Sequence, residues 1–203
     1  MRLARGVTVP SRYPSNWWPD LPIRTRRLVL RLPEMHDVEE IRRGAAHPST
    51  RWGIPALPRP YLRRYAVEFV RRKRSQFRKR ESLALAITAA QDGSWVGMIE
   101  LMHPSAADRV AELGYWIAPG RRRQGYATEA ARAMCEVGFR VLRLHRIEGG
   151  ALARNRASIR VLEKAGLRRE GRLRERARIG QSWFDTVWLG RVVRRSPSRG
   201  PLR

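Results

Sequence analysis

Val110 to Arg140, VAELGYWIAPGRRRQGYATEAARAMCEVGFR, is the stretch whose reading decides the fold of this chain. It opens with an apolar run carrying one acid, Val110 to Ile117, closed by Pro119 and Gly120, which predicts a buried strand. A short loop follows, Arg121-Arg122-Arg123-Gln124-Gly125-Tyr126, with one glycine and no aliphatic anchor. Beyond it Ala127, Ala130, Ala131, Met134, Val137, Gly138 and Val141 recur at three- and four-residue spacing, the period of an amphipathic helix. A strand that turns through a cationic, glycine-containing loop into a helix N-terminus makes an anion cradle. The first backbone N–H groups of a helix have no internal partners, and the macrodipole adds partial positive charge there. Gly125 lets the backbone approach a ligand with no side chain in the way. The expected ligand carries phosphate. The loop lacks the Gly-Lys-Ser/Thr ending of a Walker loop and holds only one of the glycines of a dinucleotide fingerprint.

Outward from this stretch, residues 1 to about 24 are dense in proline, with Trp17-Trp18 between, and read as an irregular extension whose tryptophans dock on the domain or on a partner. Arg26 to Leu32 alternates as the first strand, and Pro33-Glu34 opens a helix through about Arg43. His47 to Pro60 reads as a long loop. Tyr61 to about Arg80 reads as a helix with Leu62, Tyr65, Ala66, Phe69, Val70 and Phe77 inward. Its other face carries nine basic residues against one acid, Glu68, too few acidic partners to offset the repulsion. Ser82 to Ala89 and Trp95 to Met102 form a hairpin across Gln91-Asp92-Gly93-Ser94. Arg146 to Leu152 is the next strand. Asn155 caps the following helix, which stops at Gly166. Leu167 to Gly171 and Trp183 to Gly190 read as a last hairpin across a long arginine-rich turn, ahead of a basic tail expected to be disordered.

The loop Arg122-Arg123-Gln124-Gly125-Tyr126-Ala127 resembles the pyrophosphate motif Gln/Arg-x-x-Gly-x-Gly/Ala of the GNAT superfamily of acyl-CoA-dependent N-acyltransferases. Glu112 to Ile117 is similar to the strand that holds the pantetheine arm there. Asn155-Arg156-Ala157-Ser158, followed by Glu163-Lys164-Ala165-Gly166-Leu167, resembles the Asn-x-x-Ser…Glu-Lys-x-Gly-Phe segment of the branch with the RimJ/RimL-type ribosomal-protein N-terminal acetyltransferases. The resemblance covers roughly Thr25 to Val192. It implies an α/β (α+β) fold, a central, mostly antiparallel mixed sheet splayed at the acyl-CoA site and flanked by helices. It implies an extension over 1–24, a catalytic domain over 25–192 and a tail over 193–203.

The same resemblance implies an enzyme that uses acetyl-CoA as cosubstrate, needs no metal, and acts by direct attack of a neutral amine on the thioester. The expected binding residues are Trp116, Ile117 and Ala118, whose free backbone N–H groups meet the pantetheine and thioester oxygen, then Arg122, Arg123, Gln124, Gly125, Tyr126, Ala127 and Thr128 for the pyrophosphate. Asn155 is expected on the pantetheine amide, and Ser158 as the donor to the leaving sulfur. Many relatives place a tyrosine seven residues after the Asn; this chain has Leu162 there. For the base, Glu112 sits on the pantetheine strand, where desolvation would raise its pKa. An ion-paired structural Glu112, Glu100 as base, and a water chain remain the alternatives. His103 and His145 read as ordinary strand-end residues, and Cys135 as core packing.

At 203 residues the chain fits one domain, and 42% hydrophobic content is ordinary. The charge is not: 43 basic against 18 acidic residues give +25. Such a balance suits RNA, the ribosome or an acidic protein as partner, while an arginine-rich genome composition explains it equally well. The lone cysteine excludes an internal disulfide and suits a cytoplasmic protein. No apolar run approaches a membrane span and no signal peptide is expected. The acceptor expected is a protein N-terminus of the ribosomal-protein-alanine type. Polyamines and aminoglycosides are the alternative acceptors, polyamines fitting poorly against so much like charge. A non-catalytic CoA-binding module that binds RNA or the ribosome is the other class of reading, and a homodimer is left open.

Overall fold

The computed structural model describes residues 18–54, 57–102, 104–105 and 107–193. Eight strands form one sheet: β1 (Ile23–Arg24), β2 (Leu28–Arg31), β3 (Ser82–Ala89), β4 (Trp95–Met102), β5 (Val110–Ile117), β6 (Arg146–Leu152), β7 (Arg168–Ile179) and β8 (Ser182–Val192). Their spatial order is β1-β2-β3-β4-β5-β6-β8-β7. Every neighbouring pair is antiparallel except β5 with β6. The helices are α1 (Val38–Ala46), α2 (Pro48–Gly53), α3 (Arg63–Lys79), α4 (Tyr126–Glu136) and α5 (Arg156–Lys164). This is the mixed, mostly antiparallel sheet flanked by helices that the resemblance implies.

Period-2 alternation sorts the side chains onto two faces. Ile99 and Leu101 of β4 and Ala111, Leu113 and Ile117 of β5 join Ala130, Ala131 and Met134 of α4 and Ile159 and Leu162 of α5 in the larger core. Glu100 and Trp116 point the other way, to α3 and α1: Lys73 of α3 reaches Glu100, and a Cβ on Gly44 of α1 would lie 2.2 Å from the Trp116 ring. β3 is buried along its whole length, and therefore reads as a continuous apolar run and not as an alternating one.

Four expectations are corrected. Residues 47–60 are not all loop: Pro48 occupies the first position of α2 and the His47 ring accepts from the Ser49 N–H at 3.3 Å, so proline starts a helix here. The extension is not wholly irregular, since Ile23–Arg24 pairs with β2 at the sheet edge; Trp18 docks against Phe77 with ring centroids 5.6 Å apart, while Trp17 lies outside the described residues. The arginine-rich turn is mostly strand, with β7 running to Ile179 and turning at Gly180 and Gln181. Both faces of β7 are largely exposed, so no apolar alternation marks it, and backbone pairing with β8 alone makes it a strand. On α3, Leu62 is the exposed residue preceding the helix, and Lys73, counted above on the basic face, is buried. Residues 194–203, expected to be disordered, lie outside the described residues.

One cluster ties the sheet edge to the start of α4. Glu129 accepts hydrogen bonds from the Thr25 hydroxyl (2.7 Å), the Arg27 backbone N–H (2.8 Å) and Arg27 Nε (2.7 Å). Arg27 Nη1 also donates to the Gln124 carbonyl at 3.1 Å, and the guanidinium stacks on Tyr126 at 4.9 Å. Burial opposes ionisation of Glu129, but the donors from Thr25 and Arg27 prevail and hold its carboxyl below the usual glutamate value. A carboxyl depressed by folding stabilises the protein above its unfolded pKa, and that contribution is lost as pH falls through the folded value. Glu129→Gln is therefore expected to lower Tm at pH 7 by roughly 3–10 °C. It should also reduce the loss of stability between neutrality and acid, as read by thermal denaturation across pH; identical acid profiles would count against the cluster.

Candidate acyl-CoA and amine site

β5 keeps only one full set of neighbours. It pairs with β4 from Gly97↔Ile117 to Met102↔Glu112, and with β6 only at Val110, Ala111 and Glu112. β6 meanwhile pairs with β8 along its whole length. The two strands each hold an antiparallel partner and part from one another beyond Glu112, which opens a wedge in the middle of the sheet.

Backbone alternation settles which groups face that wedge. The Ala118 N–H donates to the Val96 carbonyl at 2.8 Å, toward β4. The Trp116 N–H lies on the same side as that of Ala118, and the N–H groups of Tyr115 and Ile117 lie on the wedge side. Of the expected row Trp116, Ile117 and Ala118, the Ile117 N–H lies on the wedge side together with that of Tyr115, while the N–H groups of Trp116 and Ala118 face β4, which corrects the expectation that all three are free.

At the upper end of the wedge the chain turns into α4. Gly125 is its N-cap at φ +82°, a conformation that an L side chain adopts with strain, and no side chain caps the helix. The first-turn N–H groups of Tyr126, Ala127 and Thr128 therefore stand without a side-chain cap at the positive end of an 11-residue helix. Sequence alone treats the three loop arginines alike, but their partners differ. Arg121 donates to Ser94 Oγ (2.9 Å), and Arg122 donates to the Ile117 carbonyl (3.0 Å), Ser49 Oγ (2.5 Å) and Thr50 Oγ1 (2.9 Å). Arg123, at φ +61°, has no side-chain partner among the described residues. Arg122 thus fastens α2 to the end of β5, and burial pulls its pKa down.

Across the wedge, Asn155 caps α5, its Oδ1 accepting from the Ser158 N–H at 3.2 Å. Ser158 is half-buried, and its Oγ lies 2.9 Å from the Tyr115 hydroxyl, which also reaches the Ser158 carbonyl at 3.0 Å. Burial pushes the Tyr115 phenol up to about 12, so it stays a neutral donor over the working pH range. Sequence reasoning missed Tyr115. It found no tyrosine on α5, where Leu162 is a buried core residue, and the structure brings one to the serine from β5 instead.

The wedge opens onto a cleft of about 830 Å³ that is lined by α2, α3 and β4 on one side and by the starts of α4 and α5 on the other. Glu112 is half-buried and lines it, and so do Glu100, Trp52, Leu57 and Phe69. Glu100 Oε1 accepts from Lys73 Nζ at 2.5 Å and from Ser82 Oγ at 2.6 Å, so this carboxylate is committed, unlike the base considered for it above. α2 forms one wall, held by Arg122 and by Arg154, whose guanidinium lies between the rings of Trp52 (5.1 Å) and Phe184 (3.9 Å). Cys135 is buried and pushed up to about 11, as a packing residue should be; His145 does not line the cleft, and His103 lies outside the described residues. The donor-rich helix start, the wedge N–H groups and the elongated cleft fit a phosphorylated, amide-bearing thioester such as an acyl-CoA.

The comparisons agree with this geometry. Residues 27–168 match the model of the acetyltransferase (GNAT) domain. The probable N-acetyltransferase YjcK of Bacillus subtilis is 35% identical over 126 residues, 60% of this chain and 70% of that protein. The spermidine N(1)-acetyltransferase of Escherichia coli K12 is 33% identical over 82 residues, 40% of this chain and 44% of that one. The structure of Mycobacterium smegmatis RimJ in complex with CoA-disulfide superposes with a TM-score of 0.77 at 26% identity, covering 87% of this chain and 88% of that one. The chain belongs to the GNAT acetyltransferase family and is an acyl-CoA-dependent N-acetyltransferase.

Proposed function

We propose that the protein transfers the acetyl group of acetyl-CoA to the α-amino group of a polypeptide. The amine enters from the α1–α3 face, and the CoA lies against α4 and α5. The observation that carries the reading is the Tyr115–Ser158 hydroxyl pair, 2.9 Å apart across the mouth of the wedge. Acetyl-CoA supplies the thioester carbonyl. The first-turn N–H groups of α4, with Gln124, Gly125, Tyr126, Ala127 and Thr128 around them and the Arg123 guanidinium beside them, bind the pyrophosphate. The wedge-side N–H groups of Tyr115 and Ile117 bind the pantetheine and steady the carbonyl oxygen as negative charge develops on it. Asn155 orients the start of α5.

Glu112, on the acceptor side of β5, takes the proton of the attacking amine. Ser158 donates to the leaving sulfur. As its proton turns to the sulfur, Tyr115 swings its own hydroxyl proton from the Ser158 carbonyl to Ser158 Oγ and keeps that oxygen satisfied. What supports a polypeptide acceptor is the Asn155-x-x-Ser158 spacing, which resembles the ribosomal-protein branch, together with the apolar character of the acceptor wall.

Three measurements test the scheme. Gly125→Asp is the informative loop variant, because aspartate tolerates the left-handed conformation while its charge opposes the anion. Calorimetry should show CoA affinity reduced at least about tenfold with Tm nearly unchanged, and unaltered affinity would remove the loop from the site. Ser158→Ala should lower kcat by about 10- to 1000-fold with little change in acyl-CoA affinity. Tyr115→Phe should lower kcat in the same direction by a smaller factor, and wild-type turnover in both would reduce the pair to a structural contact. Finally, the rate should rise with pH as the base loses its proton, and Glu112→Gln should flatten that rise; an unchanged profile would point to water as the acceptor of the proton.

A further inference from the structure

A second cavity, of about 630 Å³, lies between α5 and the β7–β8 hairpin. Ile159 and Val187 give it an apolar floor, Arg156 and Arg160 of α5 stand on one side, and Arg169 and Arg172 of β7 on the other. Two acids line it as well, Glu163 and Glu170, and both are already matched. Glu163 accepts from Arg169 Nε at 2.8 Å, and Glu170 is held by Arg146. Arg172 in turn donates to Asp185 at 2.7 Å. Arg156 and Arg160 differ from these. They sit one turn apart on the same side of α5, both exposed, and form no side-chain hydrogen bond or ion pair among the described residues. Arg160 also lines the acyl-CoA cleft, so the two cavities adjoin along this helix.

The hairpin carries this surface outward. Its register, Arg169↔Leu189, Arg172↔Val187 and Arg178↔Trp183, puts these residues on one face, the face that closes the cavity. Trp183 lies about 13 Å beyond Val187 along β8. It is 55% exposed, with the Arg178 guanidinium 5.7 Å from its ring centroid. An exposed indole at the end of an arginine-lined groove suits a chain in which phosphates alternate with flat bases. The other occupants fit less well. β7 holds six arginines against two glutamates, so its edge would repel the same edge of a second copy. An acidic peptide would satisfy the arginines and leave the indole in water, and a duplex keeps its bases in its own stack. RNA presents unpaired bases in loops and at ends without being unwound.

We propose that the groove between α5 and the β7–β8 hairpin binds single-stranded RNA, with Arg156 and Arg160 on its phosphates and Trp183 stacked on a base. The RNA binds beside the acyl-CoA cleft and not in it, so this site is independent of which amine accepts the acetyl group.

The test measures fluorescence anisotropy of a labelled single-stranded RNA of about 10 nucleotides, over a series of salt concentrations. The full-length protein should bind it at least about tenfold more tightly than the same sequence as a duplex, and more tightly than polyglutamate. Trp183→Ala should weaken binding by about 5- to 100-fold and leave the log–log salt slope unchanged, because stacking releases no counterions. Trp183→Phe, which keeps a flat ring, should recover most of that loss. Arg156→Gln/Arg160→Gln should instead flatten the slope by about 1.4, two phosphate contacts' worth. On α3, Arg64, Arg71 and Arg78 form an exposed stripe at seven-residue spacing that has equal charge and no part in the groove. Replacing those three with glutamine should leave affinity and slope as they were. Saturating acetyl-CoA should leave the RNA bound. Binding that ignores Trp183, or that duplex RNA or polyglutamate matches, overturns the proposal. So does a loss on α3 equal to the loss in the groove, or displacement by acetyl-CoA, which would assign the arginines to the cosubstrate.

Discussion

A strand has hydrogen-bonding groups on two edges, and β5 can commit both edges only at its first three residues, Val110 to Glu112. Beyond them one edge stays with β4 while β6 leaves for β8. The rest of the molecule depends on this division. The wedge exposes backbone donors of Tyr115 and Ile117 inside an otherwise closed sheet, where unpaired polar groups are costly unless a ligand or water satisfies them. It also connects the two faces of the sheet, since the cleft is lined by α4 and α5 on one side and by α2 and α3 on the other. The Tyr115–Ser158 contact spans the gap between β5 and α5.

The chain's excess of arginine is in part internal fastening. Arg31 holds the nearly fully buried Asp37 through both carboxylate oxygens at 2.7 and 2.8 Å, fixing the turn into α1. Arg27 joins the sheet edge to α4, Arg122 joins the loop before α4 to α2, and Arg154 clamps Trp52. Arg146 bridges Glu148 at 2.7 Å and Glu170, linking β6 to β7. Arginine suits these places because its planar fork satisfies several acceptors at once. A net charge of +25 therefore overstates how much of the basic surface is free to meet a partner.

The two walls of the cleft have different electrostatic characters for this reason. At the α4 end Arg123 remains without a side-chain partner among the described residues, next to a helix start with no side-chain cap. On the α1–α3 face the buried Lys73 ammonium is paired with Glu100. Side chains with fixed partners thus stand on one side of the cleft, and backbone donors with no side-chain cap on the other.

Much of this was legible in the sequence, where a local signal sufficed. The strand Val110–Ile117, the hairpin of β3 and β4, the strand Arg146–Leu152, the Asn155 cap and the stop at Gly166 all follow from patterns contained within each segment. The turn from Arg122 into α4 was legible in the glycine that its backbone requires. What lay beyond reach depended on partners distant in the chain. The helical phase of Lys73 among eight other basic residues reveals itself only when Glu100, 27 residues away, meets it. Tyr115 and Ser158 are 43 residues apart, and nothing in either neighbourhood announces the other. β7, exposed on both faces, has no apolar alternation to read and is a strand because β8 pairs with it. Periodicity records which side of an element is buried; it does not record which buried or half-buried polar group finds which partner, and that choice belongs to the packed structure alone.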